Sequence, residues 1–173
     1  MAKDSSKTPK KSSRTASNPS VSTWAAQCGK CFKWRKISTQ EEFEEIRSRF
    51  VEEPFNCDNK PNASCDDPED IEYDASRTWT IDQPNLPKTP SGFKRELHLR
   101  KDHSKMDAYY ITPSGKRLRS AVEVATFLQQ NSEISNISVS DFSFKSPKIM
   151  DDTVPSIPVV ANSNKKGATS STK

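Results

Sequence analysis

The sequence predicts a small multidomain protein: a module of short strands plus a helix around a structural zinc, then a small α+β module, between disordered tails. Three observations predict it. Leu, Ile, Val and Phe number only 5, 9, 8 and 8 in 173 residues, about 17%, below the roughly 20% typical of a fully globular chain. With 12 Pro, 4 Gly and a mean hydropathy of −0.88, one large core cannot be filled, and a barrel-sized catalytic fold is excluded. Charge segregates along the chain: residues 1–20 are net +4, residues 39–74 net −10 and residues 88–120 net +6, which predicts modules with oppositely charged partners. Finally, there are four cysteines, no secretion-type apolar start and no apolar run near the roughly 20 residues of a membrane span. The expectation is a soluble intracellular protein without a membrane partner, whose thiols bind metal rather than form disulfides.

Taken in order, residues 1–20 are a basic Ser/Thr/Lys/Pro tail. Residues 21–75 form the first module, with strands at Ala25–Gln27 and Phe32–Ile37 around a Cys-Gly-Lys-Cys turn. A helix follows, signalled by the Ser38/Glu41 capping spacing and by Phe43, Ile46 and Phe50 on one face. Residues 76–150 form the second module, entered through a linker over 76–90 whose prolines at 84, 87 and 90 interrupt helix and sheet. In it, Phe93–Leu99 alternates, with Phe93, Arg95, Leu97 and Leu99 on one face and Lys94, Glu96 and His98 on the other. Asp107–Ile111 is a second strand, Thr112–Gly115 a turn, and Ser120 with Glu123 caps a helix to about Gln130 that buries Ala121, Val124, Ala125 and Leu128. Residues 151–173 are the second tail.

Cys28 and Cys31 make a C-x2-C knuckle, and Cys57 and Cys65 complete a set of four thiolates, the tetrahedral donor set preferred by Zn(II). With no open ligand position the site is structural, and metal removal is expected to unfold residues 21–75 while leaving the basic module folded. The run Trp24-Ala25-Ala26-Gln27-Cys28-Gly29-Lys30-Cys31-Phe32-Lys33-Trp34-Arg35, with Cys57 and Ser64–Glu69, resembles the CW-type zinc finger. Phe55 stands where that family usually has a third tryptophan. The resemblance implies that Trp24 and Trp34 form an aromatic cage for a methylated lysine of the histone H3 tail. Aromatic faces hold a methylammonium, and an acidic surface attracts a basic tail. Burial of both indoles in the core is the other reading of the same residues.

Gly92–Leu97, Met106–Lys116 and Leu118–Glu123, continuing to Asp141–Phe144, resemble the methyl-CpG-binding domain. A symmetric CpG reader needs two arginines, each bidentate to a guanine. The resemblance assigns these to Arg95 and Arg119, supported by Asp107 and Glu123 respectively, with Tyr109 near a cytosine methyl. Lys94, Arg100, Lys101, Lys105 and Lys116 are expected to contact phosphates, which gives affinity without sequence information. The loop Arg100–Lys105 is shorter than in methyl readers of that family.

A zinc finger followed by this domain resembles plant methyl-CpG-binding-domain proteins. It implies a nuclear chromatin reader and transcriptional regulator on double-stranded CpG DNA, linked to repressive, deacetylase-associated complexes. A protein-interaction adaptor without methyl selectivity is the alternative. An enzyme is not expected: His98 and His103 are the only histidines, no nucleophile has a local signature and no glycine-rich phosphate cradle is present.

Overall fold

A computed structural model describes residues 20–156. Strands β1 (Trp24–Gln27) and β2 (Trp34–Ile37) pair antiparallel, with Trp24 opposite Ile37 and Gln27 opposite Trp34. The knuckle between them needs a tight left-handed step, taken by Phe32 at φ 60°. Helix α1 (Gln40–Ser48) starts one residue later than its spacing suggested, because Thr39 rather than Ser38 accepts from the Glu42 amide, at 3.1 Å. Phe43 and Ile46 pack on Ala26, Ile37 and Phe55. Phe50 lies beyond the helix end and is exposed.

In the second module, β4 (Lys94–Leu99), β5 (Met106–Ile111) and β6 (Arg117–Leu118) form an antiparallel sheet in that order, following the short β3 (Thr80–Ile81). Gly115, at φ +85°, makes the turn between β5 and β6. Helix α2 (Ala121–Gln130) has Ser120 as its cap, accepting from the Glu123 amide at 3.2 Å. Its buried residues are Val124 and Phe127, whereas Ala121 is exposed. They pack with Tyr110, Leu118 and Phe142, and Phe93 sits edge-on to Phe127 and Phe142. Strand β7 (Lys148–Ile149) returns to pair with β3.

The ordered body runs past residue 150: Asp151–Thr153 is a 3₁₀ turn whose buried Thr153 accepts from the Trp79 amide through its hydroxyl. Residues 151–153, expected to open the second tail, thus belong to the ordered body, since a buried threonine with a satisfied partner is part of the core. Residues 1–19 and 157–173 lie outside the described residues.

The two modules share a polar seam. Asp82 accepts from Arg47 of α1 at 2.8 Å and from Arg95 of β4 at 2.7 Å, and all three side chains are at most 6% exposed. Gln40 donates to the Arg95 carbonyl, Glu44 accepts from the Thr89 amide, and Arg47 donates to the Pro87 carbonyl. Ser20 extends the β4 edge through Leu97 and Leu99. The proline-rich linker is thus clamped against α1. This buried network joins two modules that the sequence leads one to expect to fold independently.

Candidate metal centre and nucleic-acid interface

The Sγ atoms of Cys28, Cys31, Cys57 and Cys65 all lie within 4.8 Å of one another. Cys28–Cys65 is 3.8 Å and Cys31–Cys57 is 3.6 Å. Zn–S bonds of about 2.3 Å in a tetrahedron require S···S edges of about 3.8 Å, so the donor set fits one structural zinc ion. Burial opposes ionisation of the Cys28 thiol, but amide donors from Cys31, Lys30 and Cys57 outweigh it and bring it down to about 6. The neighbouring sulfurs, with burial, push Cys65 up to about 12. Arg35, 1% exposed, supplies a fixed positive charge: its Nε donates to Cys57 Sγ at 3.2 Å, and its Nη atoms donate to the Ser64, Asp67 and Pro68 carbonyls and to Asp70. The sequence reading missed Arg35, although its place directly after Trp34 puts it on the core face of β2.

Trp24 and Trp34 are not brought together as facing walls. The β1/β2 register sends Trp24 to the face of Ala26, Arg35 and Ile37, and Trp34 to the opposite one. Trp24 packs on Phe43, with ring centroids 4.9 Å apart, and on the Leu97/Met106 cluster. Trp34 lies 4.9 Å from Trp79 and stacks toward Tyr73 at 6.4 Å. Both indoles nonetheless border one cavity of about 420 Å³, which runs between β1 and the segment Thr78–Asp82.

On the outer face of the β4–β6 sheet stand Lys94, Glu96, His98, Asp107, Tyr109 and Arg117. The register sets Glu96 opposite Tyr109 and His98 opposite Asp107. Arg95 is on the other face, 2% exposed, opposite Tyr110 and bound to Asp82. It is not placed to read a base, and strand alternation keeps it from Asp107. This corrects the assignment of Arg95 as a base contact and of Asp107 as its support. Asp107 instead receives Arg100 in a two-pronged pair, Nε to Oδ2 at 2.9 Å and Nη2 to Oδ1 at 3.0 Å. That pair lowers the Asp107 carboxyl below its ordinary value and raises Arg100. Using the Nε edge leaves the Nη1–Nη2 end of the guanidinium open to a second acceptor.

Arg119 is exposed at the start of α2, and its main-chain amide donates to Glu123 Oε2 at 2.7 Å. Glu123 thus fixes the backbone of Arg119, and no ion pair to the Arg119 guanidinium is present among the described residues. Lys94, Lys101, Lys105 and Lys116 are exposed. The Arg100–Lys105 loop closes through the Arg100 amide to the Lys105 carbonyl at 3.0 Å, with His103 at φ 56°.

Comparison with known proteins agrees with this architecture. Residues 24–71 match the CW-type zinc finger and residues 79–152 the methyl-CpG binding domain; both are binding modules. The chain is 56% identical over 150 residues to methyl-CpG-binding domain-containing protein 4 of Arabidopsis thaliana, covering 87% of this chain and 81% of that one. It is 57% identical over 137 residues to Arabidopsis methyl-CpG-binding domain-containing protein 1, covering 79% and 67%. To human methyl-CpG-binding domain protein 2 it is 36% identical over 69 residues, covering 38% and 16%. The chain belongs to the methyl-CpG-binding domain-containing proteins, with a CW-type zinc finger ahead of that domain.

Proposed function

We propose that this protein is a nuclear, non-enzymatic chromatin reader that regulates transcription by binding double-stranded CpG DNA with the outer face of β4–β6 and the start of α2. Arg100 and Arg119 address the two guanines, Asp107 holds the plane of Arg100, and Tyr109 sits beside a cytosine. Lys94, Lys101, Lys105 and Lys116 contact phosphates, adding affinity that falls with salt. The observation that carries this reading is the Arg100–Asp107 fork, an exposed guanidinium oriented by a carboxylate on a basic face. The test is titration of the full chain with a CpG duplex and a scrambled duplex at one salt concentration. Selective loss of CpG preference in Arg119→Ala supports it. Equal binding of both duplexes by the wild type replaces it with the adaptor reading.

A second reading concerns the finger. Its net −10 segment and the groove along the edge of β1 that no other strand pairs with among the described residues suit a basic extended peptide, which can add to a strand edge. We propose the histone H3 tail as that partner, with Trp34 as the aromatic contact and Trp24 as part of the floor. Association with a deacetylase-linked complex rests on the family resemblance alone.

A further inference from the structure

Three strands of the outer sheet face are tied together by one side chain that the DNA reading leaves unused. Arg117 lies on β6, opposite Ile111, and reaches diagonally across β5. Its Cζ sits 4.9 Å from the Tyr109 ring centroid, and its Nη2 is 3.5 Å from Glu96 Oε2 on β4. Glu96 is only 14% exposed, and it also receives His98 Nε2 at 3.2 Å and approaches Lys94 Nζ at 3.9 Å. The His98 ring stands 5.3 Å from the Tyr109 ring. A nearly buried carboxylate in the middle of a face proposed to meet phosphate is costly, unless it holds cations in a useful place.

We infer that Arg117, positioned by Glu96, is a specificity-determining residue that limits discrimination between methylated and unmethylated CpG. The inference rests on the DNA reading above, in which Tyr109 lies beside a cytosine. A 5-methyl group gains affinity when it packs on apolar surface. Here the ring of Tyr109 carries a guanidinium, which retains hydration and attracts either duplex equally, so the methyl group meets a cation where it would otherwise meet an aromatic face. Lys94 and His98 approach the same carboxylate and hold Glu96 at the centre of the face, where its Oε2 meets Arg117.

The experiment is a fluorescence-anisotropy titration of the full chain with fully methylated, unmethylated and scrambled duplexes at fixed salt. Wild type is expected to bind both CpG duplexes within about threefold. Arg117→Met, which keeps the length and removes the charge, should raise the methylated-to-unmethylated ratio by about tenfold, the lower end of what one extra carbon is worth in an apolar pocket. Glu96→Gln should raise it partway through release of Arg117, and Lys101→Ala should weaken all duplexes without moving the ratio. Arg117→Lys should restore less than the arginine does, since an ammonium cannot lie flat on the ring. Should the wild type show no CpG preference over the scrambled duplex, the DNA reading fails and this inference with it. If CpG preference is present but the wild type already favours the methylated duplex by about tenfold, or Arg117→Met and Glu96→Gln both leave the ratio unchanged, the inference alone is overturned.

Discussion

Arg100 lays its Nε and Nη2 atoms on both oxygens of Asp107, at 2.9 and 3.0 Å, while half of the Arg100 side chain stays exposed. An arginine on a flexible stem becomes a rigid fork only when a second group fixes its plane. Here strand β5 supplies that group from the position opposite His98.

The pairing is measurable in the free protein. The Asp107 carboxyl is lowered chiefly by its hydrogen bonds to Arg100. The stabilisation is therefore complete above the unfolded aspartate value of about 3.9 and is lost as pH falls through the lower folded value. Carbon-13 NMR of the Asp107 carboxyl should show a midpoint below the ordinary range, returning upward in Arg100→Ala. An unshifted midpoint in wild type would remove the fork.

Zinc and the DNA-binding domain should be thermodynamically linked through the seam. Breaking a buried ion pair by removing one partner costs about 3–5 kcal/mol, and Asp82 serves Arg47 and Arg95 at once. Asp82→Ala is expected to lower the melting temperature of both modules, and chelation should lower that of the methyl-CpG-binding domain as well as unfolding the finger. Circular dichroism with amide NMR checks this. Unchanged resonances for residues 106–130 after chelation would contradict it.

The tryptophans should separate in their effects. Trp24, partly buried, packs against Phe43 and the Leu97 cluster, so Trp24→Ala should cost up to about 3 kcal/mol of stability, the lower end for a buried aromatic. Trp34→Ala should retain zinc and fold while weakening a methylated histone H3 peptide. Calorimetry on both variants, with zinc content measured alongside, distinguishes floor from contact.

Much of this was legible in the residues. The knuckle spacing located the metal centre, and period-two alternation over 93–99 marked the two faces of β4. The same alternation puts Arg95 with Leu97 and Leu99, inside. The family resemblance assigns the first arginine to Arg95, and only the folded hairpin shows that Arg100 is the one that meets Asp107. The seam was not legible because Gln40, Glu44 and Arg47 look like a solvated helix face until Asp82 and Thr89 supply their partners. Likewise the placing of Trp24 and Trp34 on opposite faces follows from hairpin register, which spacing from Cys28 alone does not fix.

The most direct test sets Arg100→Ala beside Arg95→Ala, reading CpG over scrambled-duplex affinity and melting temperature together. A bidentate arginine–guanine pair is worth about 1–3 kcal/mol of discrimination. Arg100→Ala should therefore lose most of the CpG preference at unchanged melting temperature, whereas Arg95→Ala should lower the melting temperature and, where folded, keep the preference. Retained CpG preference in Arg100→Ala, with loss in a fully folded Arg95→Ala, would contradict the assignment of Arg100 as the reading arginine.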